Sequence, residues 1–303
     1  YVTGVQTCAL LIWTRLRGVS PPSLHSVFDV TAFAVLVTLV VAVGYVQGSF
    51  AMAVTLPAIL GGSSITVLQA VVACLTLSGL FALSGVILLG QLTFSDADRF
   101  PTTGPTVTAV VPVHRDGSVL HRSVESLLAS RYESLRVVIV AEPGDDASLA
   151  RARELATADR VDVLVNTRYP GSKSGAVNYA AEETDSEYLA VFDADERVSP
   201  EFVSTAVAKL DDCDVVQGRT IPEPDGVVET VAYYESVVLG DLSQRLLTAV
   251  TDFTMAASRT VVMRRTAFES VGGYDPAMLT EDYAFAFDCY EAGLAVTQHF
   301  QYA

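Results

Sequence analysis

Two long apolar runs open the chain, and short ones of alternating character fill the rest. The stretch VFDVTAFAVLVTLVVAVGYV, residues 27–46, holds one charge, Asp29, near its start; the stretch 65–92 holds none. Each reaches the ~20 residues an apolar helix needs to cross the hydrocarbon core, so both predict membrane helices. The segment between them is apolar but broken by Pro57 and glycines, which predicts an interfacial loop. From about 104 the pattern changes. Strand-like runs at 106–113, 136–142, 161–166, 188–194 and 214–219 alternate with helix-like segments around 119–130, 146–157, 174–183 and 200–210. Strands alternating with helices predict an α/β, Rossmann-like domain whose mostly parallel sheet is covered on both faces.

Charge follows the same division. Of 35 acidic residues only Asp29 precedes residue 95, so a membrane piece is expected ahead of a strongly acidic domain. Arg15 and Arg17 precede the first span, and residues 47–64 carry no Lys or Arg. The positive-inside rule then places the N-terminus and the large domain in the cytoplasm, on a multi-pass cell-membrane protein. Lys173 and Lys209 are the only lysines, and the net charge is −16. That balance excludes nucleic acid as a partner, because phosphates need a basic face. It resembles the acidic, lysine-poor surfaces of proteins from salt-loving archaea, and a halophilic source is expected. Cys8, Cys74, Cys213 and Cys289 have no paired spacing, which predicts free thiols and no zinc site.

The domain organisation read from these patterns is a segment 1–26, a membrane region 27–94 with spans at about 27–46 and 65–92, and a domain from 104 to 303. The opening YVTGVQTCALLI looks like a translated sequencing adapter and is expected to contribute nothing to the fold.

Candidate chemistry centres on YLAVFDADERVSP, residues 188–200, where a buried-looking strand ends in Asp193 and Asp195. Two like charges so placed repel unless something positive lies between them. In an open α/β sheet ligands bind beyond the carboxyl ends of the strands. Residues two apart in an extended chain point the same way, so both carboxylates are expected to face one ligand. A hard divalent cation shared with a diphosphate would supply the missing charge. By itself an Asp-x-Asp is also a common strand-end turn.

Further motifs accompany it in a fixed order: VVPVHRD (110–116), KSGAVN (173–178), DAD (193–195), GGYD (272–275) and TED (280–282). Together they resemble glycosyltransferase family 2, the inverting, metal-dependent group of GT-A fold that includes cellulose, chitin and hyaluronan synthases. The resemblance covers about 106–298. It implies that Asp193 contacts the nucleotide ribose or diphosphate and, with Asp195, binds Mg²⁺ or Mn²⁺. It further implies that Asp282 is the general base and that Lys173 contacts the nucleotide-sugar. Pro112 and His114 would stand at the nucleotide, with Arg115 where asparagine is usual. The usual acidic motif at the second strand is replaced by AEPGDD, so Glu142 would accept from the base, or Asp145 or Asp146 would do so after a shift. Gly272 and Gly273 would form a turn presenting Asp275 to the donor sugar, with Glu281 beside the base. In the bland reading Thr280 caps the following helix, and Glu281 and Asp282 favour its positive end.

The implied activity moves a sugar from a nucleotide-sugar, expected to be UDP-linked, to a hydroxyl of a polysaccharide or lipid-linked glycan at the inner face of the bilayer. Transfer to a polyprenyl phosphate is the competing reaction; a non-catalytic nucleotide-binding scaffold is the competing class. The Gln-x-x-Arg-Trp motif of the family's membrane synthases does not follow Asp282, so a C-terminally truncated piece of a longer enzyme is expected.

Overall fold

The computed structural model describes residues 99–303 except 223–224, 235, 237–243, 245–246, 249–250, 279 and 303, together with scattered positions between 31 and 82. Two compact units are present, one formed by Tyr1–Asp96 with Pro222–Phe253 and one by Ala97–Ile221 with Thr254–Ala303. The two expected membrane spans lie outside the described residues apart from isolated helical positions such as Val35 and Leu75. Among the described residues no helix is long and apolar enough to cross a membrane. The first unit also contains a helix, Val227–Tyr234, whose Val227, Val228 and Val231 are exposed.

The second unit is a sheet flanked by helices. Its strands are β1 (Val107–Val113), β2 (Leu135–Ala141), β3 (Val161–Val165), β4 (Tyr188–Val191), β5 (Val215–Arg219), β6 (Val261–Arg264) and β7 (Val296–Tyr302). Its helices are α1 (Leu120–Leu128), α2 (Asp146–Leu155), α3 (Lys173–Glu182), α4 (Phe202–Lys209), α6 (Arg265–Ser270) and α7 (Glu281–Glu291), the Val227–Tyr234 helix being α5 in chain order. The sheet order is β3-β2-β1-β4-β6-β5-β7. β6 runs antiparallel to both neighbours, and the other described ladders are parallel. The predicted α/β architecture and its first five strands are present. β6 and β7, which the hydrophobic pattern did not single out, complete the sheet.

Both faces of the sheet are buried, so the central strands read as continuous Val/Ile/Ala runs rather than alternating ones. Alternate positions of β1 and β2, such as Val107, Ala109, Val111 and Ile139, join Leu120, Val124 and Leu127 of α1 and Phe202 and Val203 of α4 in one core. The intervening residues, Val110, Val138 and Val140, are buried outside that cluster, as are Ala176, Val177 and Ala180 of α3. Cys213 and Cys289 are free, as expected, and burial pushes both thiols up to about 12.

Two arginines of VVMRRTAF are structural. Arg264 donates to the carbonyls of Leu210 and Cys213. Arg265 spreads its fork over the Ala181 and Ser186 carbonyls and the Thr184 and Ser186 hydroxyls, closing the far end of α3. Replacing Arg265 by lysine keeps the charge but loses the planar fork, leaving acceptors unpaired. The expected cost is about 2–3 kcal/mol, seen in thermal denaturation of the full chain as a fall in Tm of several degrees.

A second prediction concerns Asp145, the N-cap of α2, which accepts from Ser148 N at 3.2 Å and from Arg115 N at 2.6 Å. A side-chain hydrogen bond from Ser148, then that of the Arg115 N–H, holds its carboxyl below the usual aspartate range. A depressed carboxyl adds stability that is complete above its unfolded pKa and is lost as pH falls through the folded value. The stability gap between the wild type and Asp145→Ala is therefore expected to be constant above about pH 5 and to shrink below about pH 4, measured by urea denaturation at stepped pH.

Candidate active site

The site begins where β1 and β4 part. Their pairing ends at Val110–Val191, while β1 continues beside β2 to Val113. The Val110 carbonyl accepts from Phe192 N at 3.1 Å, so it faces β4. Backbone alternation puts Pro112 on that same side, beyond the last β4 pair, where its missing N–H costs no ladder bond. The sheet order reverses across this gap, the position where open α/β sheets bind ligands. A cavity of about 360 Å³ lies there, walled by the ends of β1, β2 and β4 and by the start of α3.

Six residues expected at the nucleotide do line it: Pro112, His114, Glu142, Lys173, Asp193 and Asp195. Asp116 joins them, a wall residue that the sequence did not suggest. β4 stops at Val191, so Asp193 and Asp195 do not extend a strand as expected. They sit in a turn beyond it and reach the same cavity through the turn rather than through strand alternation.

One of the two carboxylates is neutralised by the chain itself. Lys173 Nζ forms a half-buried ion pair with Asp193 Oδ1. Asp195 is exposed to the cavity and makes no hydrogen bond or ion pair with a described residue. Lys173 is the first residue of α3, whose N-cap Ser172 accepts from Gly175 N at 3.0 Å. Gly175 is obligatory in this packing, because a Cβ there would come 2.2 Å from the Tyr169 carbonyl oxygen. Gly171, at φ +95°, adopts a conformation natural to glycine.

Glu142 supports that loop from below. It is 9% exposed, and its two oxygens accept from Asn166 Nδ2 at 2.8 Å and from Gly171 N at 2.7 Å. Asn166, wholly buried, also clasps the Tyr169 backbone through both ends of its amide. Glu142 is thus a brace for the Lys173 loop as well as a wall of the cavity. Among the other wall residues His114 is exposed. Arg115 takes φ +63°, a region in which asparagine is far more at ease.

Beneath the Asp193–Asp195 turn lies Glu196, 8% exposed. Its Oε2 accepts from Asp193 N at 2.9 Å, and its Oε1 from the Thr220 and Thr260 hydroxyls at 3.0 and 2.9 Å. Burial, helped by the Asp193 charge, leaves the carboxyl raised, although the Asp193 N–H and the two hydroxyls oppose the rise. The one hint in the sequence was its position directly after the DAD motif.

The other candidates, Asp275, Gly272, Gly273, Glu281 and Asp282, stand outside the wall of this cavity. Gly272 and Gly273 do form the expected turn, at φ +82° and +77°. Asp275 is turned into its own loop, accepting from Ala277 N at 2.8 Å. Asn178, the last residue of KSGAVN, clasps Tyr274 from both sides: its Oδ1 accepts from Tyr274 N at 3.0 Å and its Nδ2 donates to Tyr274 O at 2.7 Å. The Tyr274 ring packs on Phe268 and Phe285. Glu281 and Asp282 occupy the first turn of α7 as expected, but the Thr280 side chain makes no capping bond. Glu281 accepts instead from Ser258 Oγ at 2.9 Å. Asp282 Oδ1 accepts from Tyr283 N at 2.9 Å, and no hydrogen bond among the described residues engages its Oδ2.

Among the described residues no group of three or more His, Cys, Asp or Glu side chains could hold a metal ion alone. A magnesium-type site completed by phosphate oxygens and water needs only one or two carboxylates. The partner-free Asp195 beside Asp193 fits that requirement.

Comparison with known proteins supplies relatives. The chain is 25% identical over 193 residues to cellulose synthase 1 of Komagataeibacter xylinus, a match covering 60% of this chain and 12% of that protein. It is 28% identical over 129 residues to glycosyltransferase GlyG of Streptococcus pneumoniae, covering 40% of this chain and 41% of the relative. It therefore spans less than half of either. The mannosyltransferase PcManGT of Pyrobaculum calidifontis, solved with GDP-Man and Mn²⁺, shares the fold at a TM-score of 0.53 and 16% identity over 74% of this chain and 65% of that one. The S. aureus TarS 1-349 structure with UDP does so at 0.50 and 15%, over 65% and 59%. The GT-A-like fold is common to them. With residues 105–302 matching the family pattern described as glycosyltransferase like family 2, the chain belongs to that family.

Proposed function

We propose that this protein transfers a sugar from a nucleotide-sugar, UDP-linked by preference, to a hydroxyl of a polysaccharide or lipid-linked glycan, inverting the anomeric centre. The observation that carries the reading is the cavity at the β1–β4 gap, where Lys173 pairs with Asp193 and Asp195 remains open. In this reading the diphosphate lies against Lys173 and the N-terminus of α3, where unpaired backbone N–H groups favour negative charge. His114, Pro112 and Glu142 border the nucleoside. Asp195, with Asp193, would hold Mg²⁺ or Mn²⁺, which when bound neutralises charge developing on the departing nucleoside diphosphate.

The proton has a separate destination. As the acceptor hydroxyl attacks from the face opposite the leaving group, Asp282 Oδ2 takes its proton. Its Oδ1 is tied to Tyr283 N, so the carboxylate cannot swing freely. A carboxylate suits this because it need only accept a proton late in the transition state. The same reading puts the domain at the inner face of the cell membrane, carried by the apolar stretches 27–46 and 65–92; their composition supports it.

Two measurements bear on this. Calorimetric titration of the full chain with UDP and with GDP, in concentrated KCl with and without Mn²⁺, is expected to give binding that needs Mn²⁺ and weakens at least 10-fold in Asp195→Ala. Metal-independent binding, or an unaffected Asp195→Ala, would remove the carboxylate site. Asp282→Asn is expected to cut transfer 10²–10⁴-fold while leaving donor affinity within a factor of about two; an active variant excludes Asp282 as the base.

A further inference from the structure

Glu196 is a buried carboxylate with no role in the reaction outlined above. It sits where three strand ends converge. Asp193 follows β4, Thr220 follows β5, and Thr260 precedes β6. The Glu196 carboxylate binds all three, by the Asp193 N–H and the two hydroxyls, and the hydroxyls also touch each other at 2.9 Å. The turn is closed in return by Glu196 N donating to the Asp193 carbonyl at 3.3 Å.

One partner is held in a costly conformation. Thr260 has φ +48°, rare for any residue with a Cβ and an outlier for a β-branched one. Such strain persists only where the surroundings over-determine it. Here they do: Gly218 N donates to the Thr260 carbonyl at 2.7 Å, and a Cβ on Gly218 would lie 2.5 Å from Thr260 Cγ2. Gln217 fixes the neighbouring backbone, accepting from Ala257 N and donating to the Arg259 carbonyl. Two residues before Thr260, Ser258 donates to Glu281, which adjoins Asp282. A continuous set of contacts thus runs from the Asp193–Asp195 turn to the first turn of α7.

We propose that Glu196 is a positioning residue, fixing the turn that presents Asp193 and Asp195 to the cation and tying that turn to the segment that braces Glu281. This rests on the donor-site reading given above. The geometry suits a brace, since one oxygen orients the Asp193 amide and the other anchors to two separate strands. The turn therefore cannot shift independently of the sheet. Residues that orient metal-binding carboxylates commonly change metal affinity 10–100-fold when removed.

The test measures the apparent affinity of the full chain for Mn²⁺ at fixed UDP or GDP, read from the paramagnetic signal of free Mn²⁺, beside Tm in EDTA. Glu196→Ala is expected to weaken Mn²⁺ binding 10–100-fold. Glu196→Gln is expected to stay within about threefold, because the amide oxygen can accept from Asp193 N while the amide nitrogen donates to hydroxyls free to rotate. The pair Thr220→Val/Thr260→Val removes the anchors without removing volume and is expected to follow Glu196→Ala; it decides the matter where Glu196→Ala does not fold. A lower Tm with unchanged Mn²⁺ affinity in the folded variants overturns the proposal, as does Glu196→Gln behaving like Glu196→Ala. Asp195→Ala separates the two levels. Loss of Mn²⁺ binding there with retention in the Glu196 and threonine variants sinks this inference alone, whereas wild-type binding by Asp195→Ala sinks the donor site and the inference with it.

Discussion

Beyond the Val110–Val191 pairing the two central strands diverge, and backbone that would have continued the ladder turns to other partners. Pro112 has no donor to lose on that side, and Phe192 makes the last bond across. Each segment then leaves the other, β1 for the His114–Asp116 loop and β4 for the Asp193–Asp195 turn. Polar side chains at such an edge face a cavity instead of a neighbouring strand. The same residues two positions earlier would be buried within the sheet's helix-covered core, where an unpaired carboxylate would cost several kcal/mol.

Electrostatics then decides what that cavity can hold. In a chain with 35 acidic residues and two lysines, placing one lysine at the first turn of α3 is a strong local departure. Lys173 is close enough to neutralise Asp193, and the pair is half-buried, so water screens it less than a surface pair. Asp195 receives no such partner. Besides Glu142, whose oxygens are engaged, and the exposed Asp116, the cavity therefore presents a compensated Asp193, an uncompensated Asp195 and a helix N-terminus. That asymmetry is compatible with an anionic ligand arriving together with a cation, and unfavourable for an anion arriving alone.

How much of this the sequence carried differs from element to element. β1 to β5 and the first four helices were legible because strands buried on both faces make continuous apolar runs with helical patterns between them. β6 escaped notice because VVMR runs straight into α6, leaving no turn signal to mark a strand. β7, VTQHFQY, has polar residues where a buried strand would be apolar. The site's wall was legible in its charged residues. The turn was not: strand alternation brought both carboxylates to one cavity for the wrong reason, since the ladder stops two residues short of Asp193. The braces were the least visible. Apart from the place of Glu196 directly after DAD, nothing local to Glu142, Asn178 or Glu196 distinguishes a solvated polar side chain from an engaged one, because all their partners except the Asp193 N–H lie 24 to 96 residues away.

Those braces also explain why the motifs occur as a set. KSGAVN contributes its lysine to the cavity and its asparagine to the Tyr274 backbone, so one helix sets the position of both Lys173 and the GGYD turn. DAD is followed by Glu196, which reaches β5 and β6 and, through the 254–260 segment, Glu281 of TED. Two short routes, one through α3 and one through the strand ends, thus join residues that line the cavity to residues outside its wall. Each route ties its two ends to shared backbone, so carboxylates that never touch are linked through it. That is why spacing in sequence and in space are coupled here: the order of the motifs is the order in which the chain visits two ends of the same pair of braces.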